Sequence, residues 1–152
     1  MRVLHLYRGY GLNLLNPVID NQLSSLEANG IKSFRYILKK GGFEYILNIS
    51  RIRQSVKANN IDIIHAHYSF CGFLAILCFL RKPVVCSLMG SDVYSSKFYV
   101  LFLKFFSKYL WKKTIVKSKL MRKVIPNSIV IPNGVNFENF IKKNRIDSLD
   151  KV

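Results

Sequence analysis

The sequence predicts an α/β domain with a doubly wound parallel sheet, and three observations carry that reading. Short apolar runs of strand length alternate with segments of helical period. The central stretch Ile61–Tyr94 reads as strand, turn, short helix, strand, turn. Its two strands end in polar clusters, His65-Ala66-His67-Tyr68 and Met89-Gly90-Ser91-Asp92. Parallel strands joined by a helix point the same way, so both clusters fall on one sheet edge, where open α/β sheets bind ligands.

In chain order, Arg2–Tyr7 reads as a first strand buried on both faces, and Gly9 and Gly11 open the loop after it. Asn16-Pro17 starts a helix, because Asn caps and Pro tolerates the first turn. Ile19, Leu23 and Leu26 then share one face, and Gly30 stops the helix. Ile31–Leu38 is a second strand and Gly41-Gly42 a turn. Phe43–Asn59 is helical, with Phe43, Leu47, Ile49 and Val56 inside and Arg51, Arg53 and Lys57 outside. The central unit places strands at Ile61–His65 and Pro83–Leu88. Ser95–Trp111 is a helix, Thr114–Val116 a strand and Ser118–Val124 a short helix begun by Ser118. Ser128–Ile131 is the sixth strand, ending at Pro132-Asn133-Gly134.

Length and composition bound the rest. A chain of 152 residues, half hydrophobic and 13% aromatic, is one domain with a real core rather than a disordered segment. The net charge of +16 implies anionic partners: nucleic acid, anionic lipid or phosphate-bearing substrates. Cys71, Cys78 and Cys86 are odd in number, apolar in context and without a CxxC pattern, so buried reduced thiols in a cytosolic protein are expected. No signal peptide is visible in the opening MRVLHLY, and no apolar window reaches the ~20 residues of a spanning helix.

Several side chains invite a chemical reading. His65 and His67, two residues apart on one strand face, could begin a metal site. No Cys, Asp or Glu is near to complete it, so no metal is expected. His65 is assigned to the interior, buried and hydrogen-bonded, while His67 and Tyr68 are assigned to the strand's mouth, in contact with substrate. Gly90, Ser91 and Asp92 can cap the next helix or bind hydroxyls through backbone N–H groups and the carboxylate. Residues 97–123 hold nine Lys or Arg and no acid, interleaved with Phe98, Leu101, Phe102, Phe105, Phe106, Tyr109, Leu110 and Trp111. That pattern fits a core helix with a solvated basic face, and equally a helix lying on an anionic membrane.

Three segments, DIIHAHYSFCGFLA (62–75), KPVVCSLMGSDVY (82–94) and VIPNGVNFENF (130–140), together resemble the N-terminal domain of family 4 glycosyltransferases of the GT-B fold. The resemblance spans nearly the whole chain. It implies a Rossmann-like domain, residues 1–135, that is the first half of a GT-B enzyme and binds the acceptor. Residues 136–152 then form an interdomain linker or tail. The resemblance places the nucleotide-sugar donor and a pair of glutamates in a second Rossmann-like domain, which the 17 residues after Val135 cannot form. The expectation is a truncated or split enzyme, inactive alone, that would otherwise transfer a hexosyl group with retention. Its acceptor would be a glycan or lipid-linked molecule of cell-envelope polysaccharide synthesis. By the same resemblance His67, Tyr68, Gly90, Ser91 and Asp92 bind acceptor, and Gly9 and Gly11 form a donor-phosphate loop. No residue of this half is assigned as catalytic. No cofactor is implied beyond the sugar nucleotide as co-substrate, and a separate donor-domain subunit could supply the missing half. The family often has His-Gly where this chain has Met89-Gly90, and a thioether cannot replace the imidazole as a donor.

The expected location is cytoplasmic, or peripheral at the inner membrane. The alternative reading is a non-catalytic peripheral membrane or assembly module derived from such an enzyme. Nucleic-acid binding ranks last: charge alone supports it, with no helix-turn-helix, RNP or zinc pattern.

Overall fold

Among the described residues six parallel strands and five helices alternate: β1 Arg2–Arg8, α1 Pro17–Ala28, β2 Lys32–Leu38, α2 Glu44–Ala58, β3 Ile63–His67, α3 Ser69–Leu77, β4 Val84–Ser87, α4 Lys97–Tyr109, β5 Lys113–Val116, α5 Lys119–Val124 and β6 Ile129–Val130. This computed structural model describes residues 1–9, 16–38 and 44–134. Gly11, the Gly41-Gly42 turn, Phe43 and the chain from Val135 onward lie outside the described residues. The strands form one sheet in the order β2-β1-β3-β4-β5-β6, and every pairing is parallel. The order reverses direction between β1 and β3, so the crevice at their C-terminal ends is the topological switch point.

Local chemistry sets the element ends. The Asn16 side chain caps α1 by accepting from Val18 N at 3.1 Å and Ile19 N at 3.4 Å. Gly30, at φ +77°, closes the same helix in a Schellman turn, with Ile31 N donating to Leu26 O and Gly30 N to Glu27 O. Ser96 and Ser118 cap α4 and α5 by accepting from Tyr99 N and Met121 N.

The pleat sends alternate residues to opposite faces. One face carries Leu4, Leu6, Ile64, Ala66, Val84, Cys86 and Leu88 into the main core, with Ile52 and Val56 of α2, Cys71, Leu74 and Ala75 of α3 and Leu103 of α4. Gly72 is where α3 comes closest to the sheet side: a Cβ there would lie 2.8 Å from both Cys86 Sγ and Trp111 Cζ2. The other face carries Tyr7 into a small cluster with Ile19 and Leu23 of α1, against which Ile37 and Met89 pack.

Two expectations need correction, and one open reading narrows. Leu47 does not face the core; it is exposed, and Ile52 takes that place. β3 does not stop at His65, because β4 continues the ladder and pairs His67 with Ser87. In α4, for which both readings were open, Tyr99, Val100 and Phe106 pack against the core while an aromatic face stays outside. Of its residues only Leu103 and Ser107 are buried, while Phe98 (79% exposed), Leu101 (65%), Phe105 (50%) and Tyr109 (62%) face outward.

Candidate functional site

The C-terminal ends of β1, β3 and β4 meet at the switch point, bringing together Arg8, Gly9, Tyr68 and the loop Met89–Asp92. Tyr68 follows β3 directly and adopts φ +96° and ψ 142°, a region that L side chains rarely occupy. Such a conformation costs about 1–3 kcal/mol and persists only where surrounding contacts enforce it. Here the Tyr68 N–H donates to Ser87 O at 2.8 Å and its carbonyl accepts from Gly72 N at 3.2 Å. The ring is half-buried. Burial raises the hydroxyl's pKa and Asp92 adds to the rise, while Arg8 and a hydrogen bond with Ser91 oppose it. Tyr68, Ser91 and Arg8 are therefore electrostatic neighbours on one edge.

The loop after β4 turns at Gly90, φ +102°. A Cβ at Gly90 would touch nothing within 4 Å, so the glycine answers to the backbone angle and not to crowding. Its carbonyl accepts from Val93 N at 2.9 Å and Tyr94 N at 3.2 Å. Ser91 is exposed at the loop tip.

Asp92 is 1% exposed, and its carboxyl is engaged within the protein. Its Oδ2 accepts from Met89 N at 2.9 Å, and its Oδ1 accepts from both the backbone N–H and the hydroxyl of Ser69. The carboxyl thus closes its own loop and sits at the first turn of α3. Its pKa is raised by burial, against the opposing hydrogen bonds from Met89 and Ser69. The Ser69 hydroxyl also meets Tyr99 Oη of α4 at 2.6 Å. One buried network therefore joins the β4 loop, α3 and α4.

His67 is likewise buried. It is 2% exposed and is the last residue of β3, at the strand's C-terminal end. Its Nε2 lies 3.1 Å from His5 Nδ1. His65 is buried and bonded as expected, its Nε2 lying 2.8 Å from Ser87 Oγ. His5 pairs directly with His65 across β1 and β3. The three rings stand with centroids 4.2–5.4 Å apart. Burial, with smaller charge effects, lowers the pKa of His5 to about 4 and of His65 to about 3, and takes His67 well below the usual value. All three rings are neutral at pH 7.

Met89 packs on the Tyr7–Ile19–Leu23 cluster, so it serves packing. The three cysteines are free and buried. Burial pushes the pKa of Cys71 up to about 12, of Cys78 up to about 11 and of Cys86 well above its usual value, leaving all three inert as thiols. Sequence reasoning missed Arg8 and His5. Arg8 was findable as the first residue past a buried strand on the ligand edge. His5 was findable from alternation, which sets it opposite Leu4 and Leu6.

Comparison with known proteins agrees with this architecture. Two crystal structures of Anabaena HepE, one in complex with UDP and one with UDP-glucose, superpose with TM-scores of 0.62 and 0.64 at 15% identity. The superpositions cover 97% of this chain but only 48% and 47% of HepE, so the chain spans about half the length of that protein. At this identity the likeness shows the fold. No curated protein matches the sequence. The sequence pattern described as glycosyl transferase 4-like matches residues 6–121, from within β1 to α5. With that match over most of its length and a six-stranded Rossmann-like sheet like one half of a GT-B enzyme, the chain belongs to the glycosyl transferase 4-like family.

Proposed function

We propose that this domain is the acceptor-side half of a nucleotide-sugar-dependent hexosyltransferase. The observation that carries the reading is the family match over residues 6–121, which contains the whole switch-point edge. A strained Tyr68 beside the Gly90-Ser91 turn is the kind of geometry that ligand edges keep at a cost in stability. In this reading Tyr68 and Ser91 orient an acceptor hydroxyl, the N–H groups of the Gly90 turn add donors, and Arg8 attracts phosphate on either substrate. Asp92 acts through the loop it holds, and His67 through the strand end it packs. No residue of this half is assigned as catalytic, and no resident cofactor is invoked.

The donor side is supplied by a second Rossmann-like unit, in cis or as a separate subunit. HepE, about twice as long as the superposed region, binds UDP-glucose. The chain alone is then inactive. The acceptor class is a glycan or lipid-linked saccharide of envelope polysaccharide synthesis. Amide NMR of the chain with a panel of oligosaccharide glycosides tests the site. Shifts centred on Arg8, Tyr68, Gly90 and Ser91 are expected; shifts centred elsewhere overturn the assignment.

A second reading has its own observation. The outward Phe98, Leu101, Phe105 and Tyr109 of α4 are flanked by Lys97, Lys104, Lys108 and Lys112, and no helix among the described residues is long and apolar enough to cross a membrane. Such a face suits the interface of an anionic bilayer, each lysine contributing about 1 kcal/mol there. Co-flotation with phosphatidylglycerol vesicles at low salt is expected, and flotation no better than with neutral vesicles removes this reading.

A further inference from the structure

The chain has three histidines in all, and all three converge. We propose that His5, His65 and His67 form a three-nitrogen site for a late first-row divalent cation of the Zn²⁺ class, set between β1 and β3. The site does not depend on the transferase reading and is given no part in sugar transfer.

The scaffold is rigid. His5 and His65 are direct partners across the parallel ladder, and His67 lies two residues further along the same face. One nitrogen of each ring lies within 4.8 Å of the other two. The closest pair, His5 Nδ1 and His67 Nε2, is 3.1 Å apart. Two nitrogens that share a tetrahedral Zn²⁺ at about 2.0–2.1 Å stand about 3.3 Å apart, so this pair already has a chelating separation. The third ring must close inward by rotation.

The hydrogen-bond inventory shows that the cluster is not fully matched by protein partners. The His5–His67 bond uses one nitrogen of each ring, and the remaining two, His5 Nε2 and His67 Nδ1, are buried without a partner. Whichever tautomer forms that bond, one lone pair and one N–H are left unmatched in the interior. Unpaired buried polar groups are costly, and a cation held by His5 Nδ1 and His67 Nε2 would replace the bond between them, with the outer nitrogens His5 Nε2 and His67 Nδ1 then both N–H donors. All-imidazole ligation suits Zn²⁺, Cu²⁺, Ni²⁺ and Co²⁺. It offers nothing to Mg²⁺ or Ca²⁺, which take oxygen. Three protein ligands leave the fourth position for water.

The test uses the untagged 152-residue chain, stripped of metal and titrated with Co²⁺. One equivalent is expected to give four-coordinate visible bands without thiolate charge transfer, to be displaced by Zn²⁺, and to leave Mg²⁺ without effect. Saturation is expected to raise Tm by roughly 5 °C or more. His5→Phe and His67→Phe should each abolish the bands. Where a variant fails to fold, the wild type decides. Substoichiometric binding by the folded wild type overturns the site, and so does a thiolate charge-transfer band or unchanged binding in a folded variant.

Discussion

The two faces of the sheet are built by opposite rules. The inner even-numbered positions of β1, β3 and β4 form an apolar layer of Leu4, Leu6, Ile64, Ala66, Val84 and Cys86 under α2 and α3. Odd-numbered positions carry His5, Tyr7, His65, His67 and Ser87, buried as deeply but only partly matched in hydrogen bonds. The first face supplies the hydrophobic drive for folding. The second gives up some of that stability and concentrates polar chemistry beneath the ligand edge. Both faces share the same strands, so substitutions one residue apart should report different physics.

The sharpest contrast comes from the apolar face. Leu6→Ala, at a fully buried position, should destabilise by about 2–5 kcal/mol in urea unfolding, by lost burial and the cavity left behind. A loss under 1 kcal/mol would place the main core elsewhere. The histidine face should instead respond to pH. Unfolded histidines protonate below about 6.5, while His5 in the fold holds out to about 4. In that window the unfolded state binds more protons, so stability is full above pH 6.5 and falls as pH drops towards 4. His5 alone contributes on the order of 3 kcal/mol to that loss, and coupling among the rings spreads the titration. Flat stability from pH 7 to 4.5 would contradict burial of the neutral rings.

At the edge, Gly90→Ala should cost about 1 kcal/mol from its φ alone, because the space around it is open. Ser69→Ala should cost a similar amount, about 1–3 kcal/mol, by leaving Asp92 short of a donor. A thermal shift series reads both. The smallest stability effect belongs to Phe98→Ser on α4, within about 0.5 kcal/mol, because Phe98 is 79% exposed. If the membrane reading holds, flotation falls in that variant while Tm does not move.

The split between the faces also explains what could be read from sequence. The strands, the Asn16 and Ser118 caps and the Gly30 stop were legible because alternation, capping and positive φ are local properties. The edge itself was legible from Tyr68, Gly90 and Ser91 following buried runs. His5 escaped because its meeting with His67 spans 62 positions and depends on strand order. The bonds Asp92 makes within its own loop were not legible, because a carboxylate after a glycine turn looks the same whether it faces solvent or closes that loop. The orientation of α4 was undetermined because aromatic periodicity defines a stripe without saying which side it faces.

The central claim is that this sheet carries the acceptor edge of a transferase whose donor site lies on another unit. The direct measurement is release of UDP from UDP-glucose by the purified 152-residue chain, with and without oligosaccharide or lipid-linked acceptors. No release above the uncatalysed background is predicted under any of these conditions. Steady turnover by the chain alone would contradict the account, since it would require catalysis within a half to which no catalytic residue has been assigned.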